Sequence, residues 1–215
     1  MPLPKINTPT YELELPSIKK KIRYRPFLVK EEKILIIAME SEDMKQITNA
    51  IKTVIGNCIL SRGIKVEKLS IFDIEYLFLN VRGKSVGEEV EVPLICPDDE
   101  KTQVSVGINL DDIKIKFNEN HSKDIVLDKK LSIKMKYPSL DEFVKSNFNF
   151  DGKFGIEESF QLIASSIDQI YENEESFNSS DYSEKEMLDF VEQLNSKQFK
   201  EVENFFETMP KLSHT

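Results

Sequence analysis

Apolar and polar positions alternate strictly near the start of the chain, with Tyr11, Leu13 and Leu15 interleaved by Glu12 and Glu14. A period of two predicts a half-buried strand. Pro16-Ser17 then turns the chain, and Ile22, Tyr24 and Pro26 continue one face of a second strand. At Lys30-Glu31-Glu32-Lys33 a helical segment begins, and its apolar run ILIIAME predicts burial on most sides. Ser41, Asp43 and Met44 mark a restart, after which Met44, Ile47, Ala50, Ile51, Val54, Ile55 and Cys58 recur at helical spacing up to a break at Gly63. A third helix is predicted over 70–82, capped by Ser70 with Asp73 three positions on.

The period then returns to two. EEVEVPLICP and TQVSVGINL read as two strands joined by Pro97-Asp98-Asp99-Glu100, and further strands fit Ile113–Phe117, Ile125–Leu127 and Leu131–Tyr137. After Pro138 the pattern is helical to the end. Ser139 with Glu142 and Ser183 with Glu186 have capping-box spacing, Asn195-Ser196 can open the last helix, and Pro210 stops it. Ile156 to Tyr171 carries Phe160, Ile163, Ile167 and Ile170 on one stripe, and NEESFNSSDY (173–182) reads as a polar linker. The expected fold is α+β in three segments. They are an N-terminal β-hairpin with helices over 1–82, a small β-rich module over 83–138, and an acidic helical region over 139–215.

Charge sharpens this division. The 215 residues hold 29 basic and 38 acidic side chains, a net of −9. Residues 151–215 hold 15 acidic against 5 basic, which repels phosphate backbones and anionic lipid. Lys19, Lys20, Lys21, Arg23 and Arg25 form the one basic cluster, and its alternation reads as the solvated face of a strand. No nucleic-acid partner is expected. No membrane partner is expected either, because the longest apolar run, Ile34–Met39, has six residues and a spanning helix needs about 20. MPLPKINTPT lacks the apolar core of a signal peptide, and two cysteines 38 residues apart make no disulfide framework. These features lead to the expectation of a soluble intracellular protein.

Catalytic chemistry is hard to assemble from this chain. His121 sits in the polar stretch NENHSKD and His214 is penultimate, so both read as exposed. Asp98-Asp99 and Asp111-Asp112 are adjacent, so in a strand they point to opposite faces. GKSVGEE (83–89) lacks the preceding spaced glycine of a phosphate loop. Cys58 fits an apolar stripe as a structural thiol. Cys96-Pro97-Asp98-Asp99 places one cysteine where a zinc-ribbon hairpin begins, but zinc needs four ligands and no second pair follows. No enzyme, metal or cofactor is expected; an enzyme of unrecognised type using His121, Cys96 or Asp112 is the remote alternative.

What does stand out is apolar material on the acidic tail: Phe199, Val202, Phe205, Phe206, Met209 and Leu212. Either this band packs on the protein's own core, or it forms a groove or ridge for a partner helix, with Phe and Met as adaptable anchors. On the second reading these six are the partner-binding candidates. Deleting 183–215 would then abolish binding and leave the first 150 residues folded.

YRPFLVKEEKILIIAMESED (24–43), RGKSVGE (82–88), INLDDIKI (108–115), KMKYPSL (134–140) and FFETMPKLSH (205–214) carry a resemblance, in order over nearly the whole chain. They resemble the T4-like phage baseplate hub assembly family of contractile-tailed bacteriophages. The resemblance implies no active site and a fuller Cys-x-x-Cys at the hairpin in some members, from which Asp99 departs. It further implies a late protein needed to build the baseplate hub in the host cytoplasm. An assembly chaperone that transiently binds a hub component or the tape-measure protein is the preferred role, with a permanent hub subunit as the alternative. Partners are expected among other tail and baseplate proteins, and the oligomeric state is open.

Overall fold

A computed structural model describes residues 6–96, 98, 101–145 and 156–214. The chain divides into two compact units, Met1–Ile115 with Leu212–Thr215, and Lys116–Lys211. This differs from the three segments expected, because the boundary cuts through the β-rich middle and the last residues return to the first unit.

In unit 1, β1 (Tyr11–Leu15) and β2 (Lys20–Tyr24) form the expected antiparallel hairpin, with Leu13 opposite Ile22. Leu15, Ile22 and Tyr24 are buried, while Arg23 faces Glu12 and Lys21 faces Glu14 across the strands. Opposite charges at facing positions keep Lys21 and Arg23 on a solvated strand face, whereas Arg25, the last member of the basic cluster, is largely buried and turns to Glu31. The turn is tied down by Ser17, whose backbone N–H donates to Asp73 Oδ1 at 3.1 Å and whose hydroxyl donates to Oδ2.

Three helices follow: α1 (Val29–Glu40), α2 (Met44–Cys58) and α3 (Ile71–Val86). Asp43 caps α2 by accepting from the Lys45 and Gln46 N–H groups, and Ser70 caps α3. Val54, Ile55, Cys58, Phe72, Ile74, Leu77 and Val81 supply the buried core between them. Helix α3 runs through Gly83 and ends only at Gly87, whose φ of 125° an L-residue rarely adopts. Then β3 (Glu89–Ile95) and β4 (Gln103–Asn109) pair antiparallel as a two-stranded ribbon. Of the turn expected between them, Pro97, Asp99 and Glu100 lie outside the described residues. Strand β5 (Ile113–Lys116) closes this part of the chain.

Unit 2 is built on an antiparallel meander of β6 (Asp124–Val126), β7 (Leu131–Met135), β8 (Ile167–Glu172) and β9 (Glu175–Asn178). Its helices are α4 (Leu140–Lys145), α5 (Ile156–Ser165), α6 (Glu184–Glu192) and α7 (Ser196–Thr208). After α7, β10 (Lys211–His214) pairs with β5 in unit 1.

Here the helical expectation for the C-terminal third is corrected. The stripe over 156–171 is helix only to Ser165. The Ser165 and Ser166 hydroxyls both donate to the Leu162 carbonyl, at 2.9 and 2.7 Å, and compete with continuation of the helix. Ile167–Glu172 is then drawn into the sheet, where Ile125, Ile133, Ile170 and Phe177 form one row across four strands. The expected linker is the β8–β9 hairpin, turned at Asn173 with φ 56° and continued as β9. Buried Met187, Val191, Val202 and Phe205 from α6 and α7 cover the sheet. Both expected capping boxes form, with the Ser139 and Ser183 backbone N–H groups donating to Glu142 and Glu186, and α7 adds a further box of Asn195 with Gln198.

Candidate interaction surface

The six tail residues part company in the structure. Along α7, Phe199, Val202, Phe205 and Phe206 share one stripe, and the sheet of unit 2 takes that stripe inward. Val202 is 0% and Phe205 2% exposed. The Phe205 ring lies 5.8 Å from Tyr137 and 5.0 Å from His121, and Phe206 meets it edge-on at 5.2 Å. Phe199 stacks on Phe160 at 4.9 Å. Val202 and Phe205 therefore have no surface to offer a partner, which corrects their reading as anchors: the sheet needs a covering layer, and α7 supplies it. Phe199 and Phe206 are half-buried against the same core, and Met209 and Leu212 keep partial exposure, Leu212 within β10. Deleting 183–215 would thus strip unit 2 of its core rather than remove a separable binding tail.

His121 is also not a free loop histidine. It is half-buried, with Nδ1 3.0 Å from Thr208 Oγ1 and Nε2 3.0 Å from the Tyr137 hydroxyl, while Lys123 Nζ sits 4.2 Å from the Tyr137 ring centroid. Burial lowers its pKa and the charge of Lys123 lowers it further. The unfolded chain then takes up the proton more readily than the folded one. Unit 2 is expected to keep this stability above about pH 6.5 and to lose it as pH falls from there toward the lowered folded value. Thermal melts at neutral and mildly acidic pH check this, and a His121→Gln variant should flatten the dependence.

Cys58 is buried, and burial pushes its thiol up to about 11. Among the described residues no three His, Cys, Asp or Glu side chains could hold a metal ion together, and Asp99 is not described. Lys84 of the GKS stretch is paired with Glu88 and, at 3.4 Å, with Asp111, on a helix rather than a phosphate loop. A cleft of about 640 Å³ in unit 2 is lined by apolar Leu162, Ile167, Met187 and Leu188 and by the Lys136–Glu142 ion pair. Its rim mixes both signs of charge and favours no ligand class.

Sequence reasoning missed two apolar surfaces, both in unit 1. The first is α1. Its ILIIAME run is not buried on most sides: Ala38 is buried, but Val29 is 79%, Ile36 51%, Ile37 55% and Met39 67% exposed. Helix α1 packs against α2 and leaves these apolar positions, interspersed with Glu32, Lys33 and Glu40, to solvent. The second is the β3–β4 ribbon. Its register puts Val90, Val92 and Leu94 opposite Ile108, Val106 and Val104, so one face is wholly aliphatic. Leu94 and Val104 near the tip are half exposed. Alternation in both strands was the available signal; what no local pattern reveals is that Leu94, Val104 and Val106 stay exposed on this face.

Residues 8–215 match the family described as T4 bacteriophage base plate protein. The chain belongs to that family. Nearly the whole sequence is covered, both units included, so the chain is a phage baseplate protein, and membership suggests interaction with other phage tail and baseplate proteins. No curated protein and no solved structure matches it. No helix among the described residues is long and apolar enough to cross a membrane. For a baseplate protein, surfaces that meet other proteins are the functional site.

Proposed function

We propose that this baseplate protein works without catalysis, as an assembly chaperone in the host cytoplasm that transiently binds a hub or tape-measure protein while the baseplate hub is built. The exposed apolar face of α1 carries this reading. Twelve residues make a helix about 18 Å long and about 10 Å across, a contact of a few hundred Å². Permanent assemblies bury roughly 2,000 Å² or more. On the α1 face Val29, Ile36, Ile37 and Met39 are interspersed with Glu32, Lys33 and Glu40, a mixed surface that suits reversible capture of an amphipathic client helix. The net charge of −9 discourages contact with other acidic surfaces. Phe206, Met209 and Leu212 could add contact through their exposed portions.

Quantitative mass spectrometry of purified tails beside lysate of infected cells tests the role. Abundance in lysate and absence from tails is the expected result; a fixed copy number per tail would make the chain a permanent hub subunit instead. At residue level, the Ile36→Glu/Ile37→Glu double variant should melt within about 0.5 kcal/mol of the parent per site, because both positions are exposed. It should nevertheless fail to copurify tail proteins. Retained copurification would remove α1 from the interface.

A further inference from the structure

The β3–β4 ribbon has two edges, and they are chemically unlike. The Cys96 N–H donates to the Thr102 carbonyl at 2.8 Å, and the Leu110 N–H to the Glu88 carbonyl at 2.8 Å. In an antiparallel pair the N–H and C=O of one residue point to the same side and alternate along the strand. Even-numbered residues of both strands therefore bond inward, and odd-numbered ones face outward. On β3 the outward residues are Glu89, Glu91, Pro93 and Ile95, so the missing N–H of Pro93 falls in the middle of that edge. On β4 they are Gln103, Ser105, Gly107 and Asn109. That edge has every donor and acceptor, no proline and no charge, and among the described residues no strand lies beyond it. Folded proteins ordinarily blunt such an edge with charge, proline or a cover, as β3 does. A two-stranded ribbon is also marginal by itself.

The geometry points to β4 as a docking edge that accepts an extended, basic-flanked strand from another protein. This rests on the reading that the chain works by binding proteins, and holds for a chaperone or a resident subunit alike. The added strand would pair with the outward groups of Gln103, Ser105, Gly107 and Asn109. Its alternate apolar side chains would extend the aliphatic face. Charge selects the occupant: residues 88–112 hold eight acidic side chains against Lys101, and Lys84 outside the ribbon pairs with only two of them, Glu88 and Asp111. A second copy would bring the same acidic segment against itself. Area argues likewise. Two ribbons stacked face to face would cover about 230 Å² each, from a length of about 23 Å and a width of about 10 Å. Stable dimers bury about 800 Å² per partner.

Amide exchange by NMR on the full chain tests this, with a synthetic peptide of alternating valine and threonine capped by lysines as probe. The expected result is about tenfold slower exchange at Gln103, Ser105, Gly107 and Asn109 when the peptide is added, and none with glutamate caps. Ser105→Pro should abolish the effect, because it removes one outward N–H directly opposite Pro93 and leaves the inner ladder intact. Should that variant fail to fold, Gly107 serves, since a Cβ there meets nothing within 4 Å. Gly107→Lys should weaken the peptide and Gly107→Glu should not. Four results overturn the proposal: outward amides already protected in dilute protein; protection that rises with protein concentration alone, which means a second copy; peptide shifts at the aliphatic methyls without outward protection; or no protection at about millimolar peptide. None of these bears on the tail-versus-lysate measurement, so the two readings fail separately.

Discussion

Replacing Arg25 by alanine is expected to destabilise unit 1 by about 3 kcal/mol, the low end of the cost of breaking a buried ion pair, because the exposed Lys30 Nζ stays 3.4 Å from Glu31 Oε1. Arg25 holds Glu31 in a fork, Nη2 to Oε1 at 3.0 Å and Nη1 to Oε2 at 3.4 Å, and the Glu31 side chain is wholly buried. The same carboxylate accepts from the Leu28 N–H at 2.9 Å and so starts α1, while the Arg25 N–H donates to the Cys58 carbonyl at the end of α2. One ion pair thus ties β2, α1 and α2 together. Burial raises the Glu31 pKa, but the Arg25 and Leu28 hydrogen bonds and the charges of Arg25 and Lys30 outweigh it and hold the carboxyl below its ordinary value. That stabilisation is present above about pH 4.3 and is lost as pH falls through the lowered folded value. Denaturant melts should therefore show the gap between parent and variant narrowing in acid. Adding Glu31→Gln to Arg25→Ala should recover part of the loss. A variant within about 1 kcal/mol of the parent would mean that the pair is hydrated.

Where structure is set by neighbours in sequence, the chain was readable. The β1–β2 alternation, the restart before Met44, the Ser70 cap and the Ser139 and Ser183 boxes depend on residues two to four apart, and the structure has them all. The stripe over 156–171 failed for a definite reason. Phe160, Ile163, Ile167 and Ile170 satisfy a helical period, but Ile170 and Ile167 are claimed by Ile133 and Met135, more than thirty residues earlier. Long-range pairing decided between two locally acceptable structures. The α1 surface shows the converse limit. An apolar run tells that a surface wants burial, not whether its partner lies in the same chain. Family membership came through ordered segments rather than through any chemical motif, and the exposed surfaces came only from the fold.

Phe205→Ala is expected to cost unit 2 about 3–5 kcal/mol, since it empties a large ring from the core. Its contacts with Tyr137, His121 and Phe206 add roughly 0.5–1.5 kcal/mol per ring pair beyond simple burial. Truncation at 183 goes further. It removes Met187, Val191, Val202 and Phe205, four of the ten buried residues of the cluster, and takes β10 away from β5. Unit 2 should then show no cooperative melt at all. Lost partner capture in that truncation would accordingly report unfolding, not a missing anchor. The informative pair is Phe205→Ala with Ile36→Glu/Ile37→Glu, read by melting and by copurification together. If α1 is the interface, the first variant lowers the melting transition of unit 2 while capture through unit 1 persists, and the second does the reverse. A Phe205→Ala protein that melts like the parent yet loses its tail partners would return the anchor role to α7 and overturn the assignment to α1.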